Sequence, residues 1–582
     1  MPTSIAAASY FPRRAALVAL LAAFLIPLPA VAAQPAGTIP EALAPELILV
    51  NGKVMTLDDA DRVVEAVAIK AGRIVSVGSN QTIRELAGGA TRVLDVGGRL
   101  VLPGLVDAHS HSTGVPPDYL DLYGAHSIAE IVEAVRKKAE EKPEGEWIVG
   151  SGTFMVYSGW DDTRLKEKRW VTRADLDPVS PHHPVLLIKD GGHAVVLNSY
   201  ALRLAGITKD TPDPKGQIPR DPESGEPTGA VLKLATEVTS ELLPRPTEEE
   251  RIQAALNASG QLLRMGTTTV ADASSTPETI RIFQAMYARG QEPLVSTILD
   301  PVVPVGKGLE ESLEVVRSWA VQTGFGDERI KLGALKFFID GGVTSRTAWF
   351  SQPYKDRPDY YGIPEVNRET LFEVVRLADR LGWQLHFHTC GDAAAELVLQ
   401  ALEAAQKENQ SSGQRHLMTH LYVLSPEQMA RMRRLGVIAV LQPNFIYALG
   451  EHMRAVLHDE QLAHLIPFRS LLEAGVPVAL SADGHPQEPL YGIYAAVARE
   501  TKTGYVLGAD EAVSVREALR AYTRTSAYAR FEEERRGSLE PGKIADLIVL
   551  DRDILAQPTN EIIDAQVLLT IKDGKVVFTH LP

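Results

Sequence analysis

Apolar and polar positions divide the chain into two ends that alternate like strands and a long middle that switches between strand and helix periods. Near the start, Leu47-Ile48-Leu49-Val50, Ala66-Val67-Ala68-Ile69 and Ile74-Val75-Ser76-Val77 are short apolar runs broken by Asn51-Gly52, Ala71-Gly72 and Gly78. Turn dipeptides of this kind between β-prone runs predict hairpins. The far end repeats the style in the runs 545–550, 567–571 and 576–578, with Asp573-Gly574 between the last two. Neither end is long enough to bury a core alone. The pattern therefore predicts one small β-sandwich assembled from residues 46–100 and 536–582.

In the middle, strand patterns fall at Val185-Leu186-Leu187-Ile188, Thr268-Thr269-Val270, Leu335-Lys336-Phe337-Phe338, Gln384-Leu385-His386-Phe387-His388, Leu417-Met418-Thr419-His420, Val437-Ile438-Ala439-Val440 and Val476-Pro477-Val478-Ala479-Leu480. Amphipathic stretches such as 368–381 and 425–435 lie between several of them. Strands alternating with helices predict an α/β fold with parallel pairing. The span 101–535 fits a (β/α)8 TIM barrel. Residues 113–265 are too many for one βα unit and predict an inserted subdomain.

The N-terminus changes this picture. Arg13-Arg14 precede an apolar run from Ala15 to Leu28, then Pro29-Ala30-Val31-Ala32-Ala33. A charged segment, a short apolar segment and an A-x-A site read as a signal peptide over 1–33, with a linker at 34–45. The expected location is periplasmic or secreted, with no membrane attachment after cleavage. The arginine pair leaves both the general and the twin-arginine export routes open. The net charge of −15 supplies no basic face for nucleic acid. With one cysteine, Cys390, no internal disulfide can form. Cys390 reads as a small buried residue rather than a nucleophile.

Candidate chemistry begins at Asp107-Ala108-His109-Ser110-His111, where a strand-like run ends. Alternate side chains of a strand share a face, so both imidazoles can reach one metal ion. His388, His420 and Asp483 stand at or just past later strand ends, and Lys336 lies within another. In a TIM barrel such ends converge on one pocket.

The chain resembles the amidohydrolase superfamily, and within it the YtcJ-like branch that contains N-substituted formamide deformylase. The likeness rests on Leu102-Pro103-Gly104-Leu105-Val106-Asp107-Ala108-His109-Ser110-His111, Gly266-Thr267-Thr268-Thr269-Val270-Ala271-Asp272, Lys336-Phe337-Phe338-Ile339-Asp340-Gly341, His388-Thr389-Cys390-Gly391-Asp392, Gln442-Pro443, Ser481-Ala482-Asp483 and 537–546. Asp190-Gly191-Gly192-His193, Asn198-Ser199 and Gly225-Glu226-Pro227-Thr228-Gly229 are closer to the branch. The resemblance implies His109 and His111 as ligands of the more buried metal, and His388 and His420 as ligands of the second. It implies Lys336 as a carbamylated bridge, although a structural or substrate-binding lysine stays open. It implies Asp483 as metal contact and proton shuttle, and His193 as a pocket residue that polarises a carbonyl or holds substrate. The expected cofactor is divalent, zinc above others, as one or two ions.

Several points stay open at this level. His386 shares a strand face with His388 and could replace it. Thr419 stands where relatives often have Glu, so His420 needs another orienting partner. Arg346 fits either an anionic substrate group or a salt bridge, and Trp160 and Tyr157 fit either an apolar substrate site or a core. The expected reaction is hydrolysis of a small-molecule amide-type C–N bond. Ester or carbamate hydrolysis and deamination use the same machinery, and a non-catalytic periplasmic binding protein is the reading from another class. Whether the protein forms a homo-oligomer is not encoded in any motif.

Overall fold

The computed structural model describes residues 40–581 apart from 117, 123, 153–158, 163, 190–193, 214–216, 233–244 and 290–293. The signal segment, the first half of the linker, Tyr157 and Asp190-Gly191-Gly192-His193 therefore lie outside the described residues. No helix among the described residues is long and apolar enough to cross a membrane.

Two parallel sheets carry the centre of the molecule. One runs Leu105–Ser110, Thr267–Ser275, Ser296–Pro301 and Ile330–Leu332 in neighbouring order. The other runs Leu335–Phe338, Leu385–Thr389, Leu417–His420, Ile438–Leu441 and Val478–Leu480. A parallel bridge between Val302 and Lys336 joins them on one side. On the other side Asp107, in the first strand, accepts the Ala482 N–H just past the last one at 3.1 Å. The helices Arg368–Arg380, Asp392–Asn409 and Pro426–Leu435 each connect two successive parallel strands.

Strand alternation decides which residues face which layer. Leu335, Phe337, Leu385 and Phe387 pack into the large apolar cluster with Leu371, Val375, Val398 and Leu402 of the helices. Lys336, His386 and His388 project from the opposite face, and the register sets Lys336 beside His386 and Phe338 beside His388.

The chain ends meet. Leu547–Leu550, Val567–Lys572 and Lys575–Thr579 share a six-stranded sheet with Leu100–Pro103, Lys53–Met55 and Val63–Val64. A four-stranded sheet of Leu47–Val50, Ala66–Lys70, Arg73–Gly78 and Arg92–Asp95 lies against it through a cluster that includes Leu49, Val67, Val101, Leu547 and Leu569. Ala71-Gly72 and Asp573-Gly574 make hairpin turns with all four φ angles positive, the geometry that two-residue hairpins demand. Asn51-Gly52 does not. The strands on its two sides belong to different sheets, because Asn51 turns the chain (φ 58°) and its amide is held by Asp95.

Between the first and second parallel strands lies a separate five-stranded sheet: Leu120–Asp121, Ile148–Ser151, Val185–Ile188, Ala194–Leu197 and Ala230–Leu232. Trp160 is fully buried in the cluster beneath it with Ile131, Val171 and Leu187, so it belongs to a core.

Candidate active site

His109 closes the Leu105–Ser110 strand and His111 follows it; His388 lies in Leu385–Thr389, and His420 ends Leu417–His420. Asp483 stands three residues past Val478–Leu480. These side chains converge. The Asp483 carboxylate lies 3.4 Å from Nε2 of both His109 and His111, and 3.9 Å from Nδ1 of His420. His420 Nε2 is 3.0 Å from His388 Nδ1, and Cys390 Sγ is 3.4 Å from His388 Nε2. Lys336 Nζ is 3.4 Å from His109 Nδ1. His420 and Asp483 hold left-handed backbone (φ 76° and 49°), an unusual conformation for side-chain-bearing residues that recurs at functional sites.

His386 and His388 have different neighbours. His386 Nδ1 is 2.7 Å from Asp300, whose carboxylate also takes both Nη1 contacts of Arg530 at 3.0 and 3.1 Å. His386 Nε2 then faces His109 Nδ1 at 3.2 Å. With Asp300 accepting at Nδ1, a neutral His386 has its lone pair on Nε2 and accepts from His109 Nδ1–H. That fixes the His109 tautomer and frees its Nε2 toward Asp483. Burial, together with the nearby Lys336, holds both imidazoles well below the usual histidine range, so both are neutral.

Gln442 is the partner that His420 needs in place of a carboxylate at 419. Its amide nitrogen donates to Ser481 Oγ at 2.6 Å and Thr419 Oγ1 at 3.1 Å, so its oxygen is turned to His420 Nδ1 at 2.9 Å. The proton of His420 sits on Nδ1, and Nε2 is left to face His388.

Charge in the pocket is tuned by burial. Lys336 is 0% exposed, and burial brings its pKa down to about 7 against the pull of Asp483 and Asp300. Burial pushes Asp107 up to about 7, while N–H groups of His109 and Ala482 pull the other way.

Other expected residues fall elsewhere. Arg346 pairs with Asp356 at 2.8 Å. Asn198 caps the Ser199–Leu204 helix and ties Val185 and His183 together, a structural role. His193 lies outside the described residues. Asp300 and Arg530 carried no expectation from sequence, and Gln442 and Asp340 had none beyond their motifs.

Residues 92–578 match the amidohydrolase family. The chain belongs to that family. N-substituted formamide deformylase of Arthrobacter pascens is 32% identical over 545 residues, covering 91% of this chain and 97% of that one. Protein LONG AFTER FAR-RED 3 of Arabidopsis thaliana is 30% identical, covering 93% of each chain. Among solved structures, an uncharacterized metal-dependent hydrolase from Pyrococcus horikoshii OT3 matches with a TM-score of 0.68 and 26% identity, covering 88% of this chain and 99% of that one. The protein is thus an amidohydrolase enzyme, and the formamide deformylase match bears out the branch indicated by the motifs.

Proposed function

We propose that this amidohydrolase is a metal-dependent hydrolase that cleaves the amide-type C–N bond of a small molecule, with N-substituted formamides the first class to test. Its nine parallel segments from Leu105–Ser110 to Val478–Leu480 close as a (β/α)8 barrel in this reading, Ile330–Leu332 and Leu335–Phe338 counting as one interrupted barrel strand, with a subdomain inserted over 113–265 and a β-sandwich built from both ends. The observation that carries the reading is the donor set. One donor atom each from His109, His420 and Asp483 lie within 4.8 Å of one another, and the same holds for His388, Cys390 and His420. Imidazole and carboxylate in such numbers fit zinc or a neighbouring divalent ion.

His109, His111, His388, His420 and Asp483 would hold one or two divalent ions, and Lys336 would bridge two of them as a carbamate if it captures carbon dioxide. A bound ion would polarise the scissile carbonyl and bring the pKa of water at the site toward neutrality. Asp483 takes the proton of the attacking water and returns it to the leaving nitrogen, giving a carboxylic acid and an amine. The Asp300–His386 pair keeps His109 in one tautomer, and Gln442 does so for His420. His193 is proposed to hold or polarise the substrate carbonyl. The N-terminal segment is proposed to export the protein, which predicts a mature chain starting near residue 34.

The test is chelation followed by zinc or manganese return, with formamides, N-acyl amino acids and aryl amides as substrates and product mass as readout. Loss and recovery of an acid and an amine whose masses together equal the substrate plus one water supports the reading. Turnover that survives complete metal removal overturns it.

A further inference from the structure

Cys390 is 1% exposed, and its thiol reaches into the same histidine cluster. We infer that Cys390 is a thiolate ligand of the metal held by His388 and His420, so that this position is a nitrogen–nitrogen–sulfur site for a thiophilic ion. The inference rests on the metal-dependent reading above and deepens it.

Three observations support it. Cys390 Sγ lies 3.4 Å from His388 Nε2, close to the roughly 3.5 Å edge that sulfur and nitrogen ligands share on one zinc ion. One donor atom from each of His388, Cys390 and His420 lies within 4.8 Å of the others, and all three residues are buried. With Nδ1 of His420 engaged by Gln442, its Nε2 carries the lone pair and lies 3.0 Å from His388 Nδ1, the other ring nitrogen from the one that Cys390 faces.

The backbone fixes the sulfur there. Asp340 accepts the Cys390 and Gly391 N–H groups at 2.9 Å each, and the Cys390 carbonyl accepts from Tyr422 N–H at 3.1 Å. A Cβ at Gly391 would lie 1.8 Å from the Trp349 carbonyl oxygen, so the turn cannot shift toward that wall. Without metal, the 3.4 Å contact is a thiol–imidazole hydrogen bond. On binding, the thiol proton leaves to solvent and a sulfur–metal bond takes its place. Soft sulfur then biases this position toward zinc, cobalt or cadmium over magnesium or manganese. The position bordered by His109, His111 and Asp483 has no sulfur donor and carries no such bias.

The test loads the metal-free full chain with cobalt(II) and reads both metal content and near-ultraviolet absorption. Cys390 is the only cysteine in the chain, so any sulfur-to-cobalt charge-transfer band belongs to it. The expected result is a bound ion with that band, the band lost in Cys390→Ser, and weaker metal binding by the variant. Cobalt bound with no charge-transfer band overturns the thiolate ligand and leaves the metal-dependent function standing. No cobalt bound by the wild type overturns both. The wild-type spectrum decides the matter even if Cys390→Ser does not fold.

Discussion

Asp300 accepts a hydrogen bond from Nδ1 of His386 at 2.7 Å, with both side chains fully buried and the Arg530 guanidinium on the same carboxylate. The pair joins the third parallel strand to the seam of the active site. Because His386 hands its lone pair to His109, Asp300 acts on a candidate ligand through one intervening ring.

Asp300→Asn is therefore expected to have two effects. Arg530 loses its charged partner while staying buried, which costs about 3–5 kcal/mol of stability. His109 loses its fixed tautomer, which lowers metal affinity about 10–100-fold. Denaturant unfolding of the metal-free protein and a competitive metal titration measure the two separately. A variant with wild-type values in both would remove Asp300 from the positioning role.

Gln442 offers a cleaner lesion, since no buried charge is involved. Gln442→Leu strips His420 of its Nδ1 acceptor and leaves Ser481 Oγ without its donor. Metal affinity is expected to fall about 10–100-fold while the fold persists. Gln442→Glu keeps an acceptor facing Nδ1 and is expected to retain most of the affinity. Equal loss in both variants would mean that packing, not tautomer control, is what Gln442 provides.

The sequence made the candidate ligands legible because each sits at the end of an apolar run. His420 and Asp483 could be placed from Leu417-Met418-Thr419 and Ala479-Leu480-Ser481 alone. The third parallel strand was not legible. Ser296, Thr297 and Asp300 interrupt its apolar pattern, yet all three are buried; Asp300 is held there by Ala334 N–H and Arg530, and the Thr297 hydroxyl by Tyr287. Arg530 could not be found locally either, since its partner lies 230 positions earlier in the chain. Asn51-Gly52 shows the opposite failure: a strong local turn signal is met, but the strands it joins pair with other partners in two different sheets. Alternation puts His386 and His388 on one face, so the residue pattern leaves both open, and only the resemblance favours His388, through Gly391-Asp392 following it at the family spacing.

Lys336 predicts a pH dependence in the metal-free protein. Its folded pKa, about 7, lies below the ordinary 10.5. Below pH 7 both folded and unfolded chains hold the proton, and the fold bears the full penalty of a buried ammonium. Between about 7 and 10.5 the unfolded chain holds a proton that the folded chain has released. Stability therefore rises with pH in that window, by up to about 1.4 kcal/mol per unit. Lys336→Met should abolish this rise. Parallel unfolding curves from pH 7 to pH 9.5 check it, and identical slopes in wild type and variant would show that Lys336 is not the titrating group.

Asp483→Asn separates proton transfer from structure. Asp483 has a φ of 49°, and asparagine tolerates left-handed backbone as well as aspartate does, so the turn after the last parallel strand survives the change. The amide retains an oxygen that can face His109 and His111 at the 3.4 Å positions of the carboxylate, but it cannot take a proton from water at neutral pH. Metal content by elemental analysis is expected to stay near wild type. The turnover number is expected to fall about 10²–10⁴-fold, the usual contribution of a positioned acid–base group. KM should move little, because the substrate carbonyl is not the group that Asp483 serves. If turnover stays near wild type with metal still bound, the proton passes through another residue; if metal is lost, Asp483 acts first as a ligand.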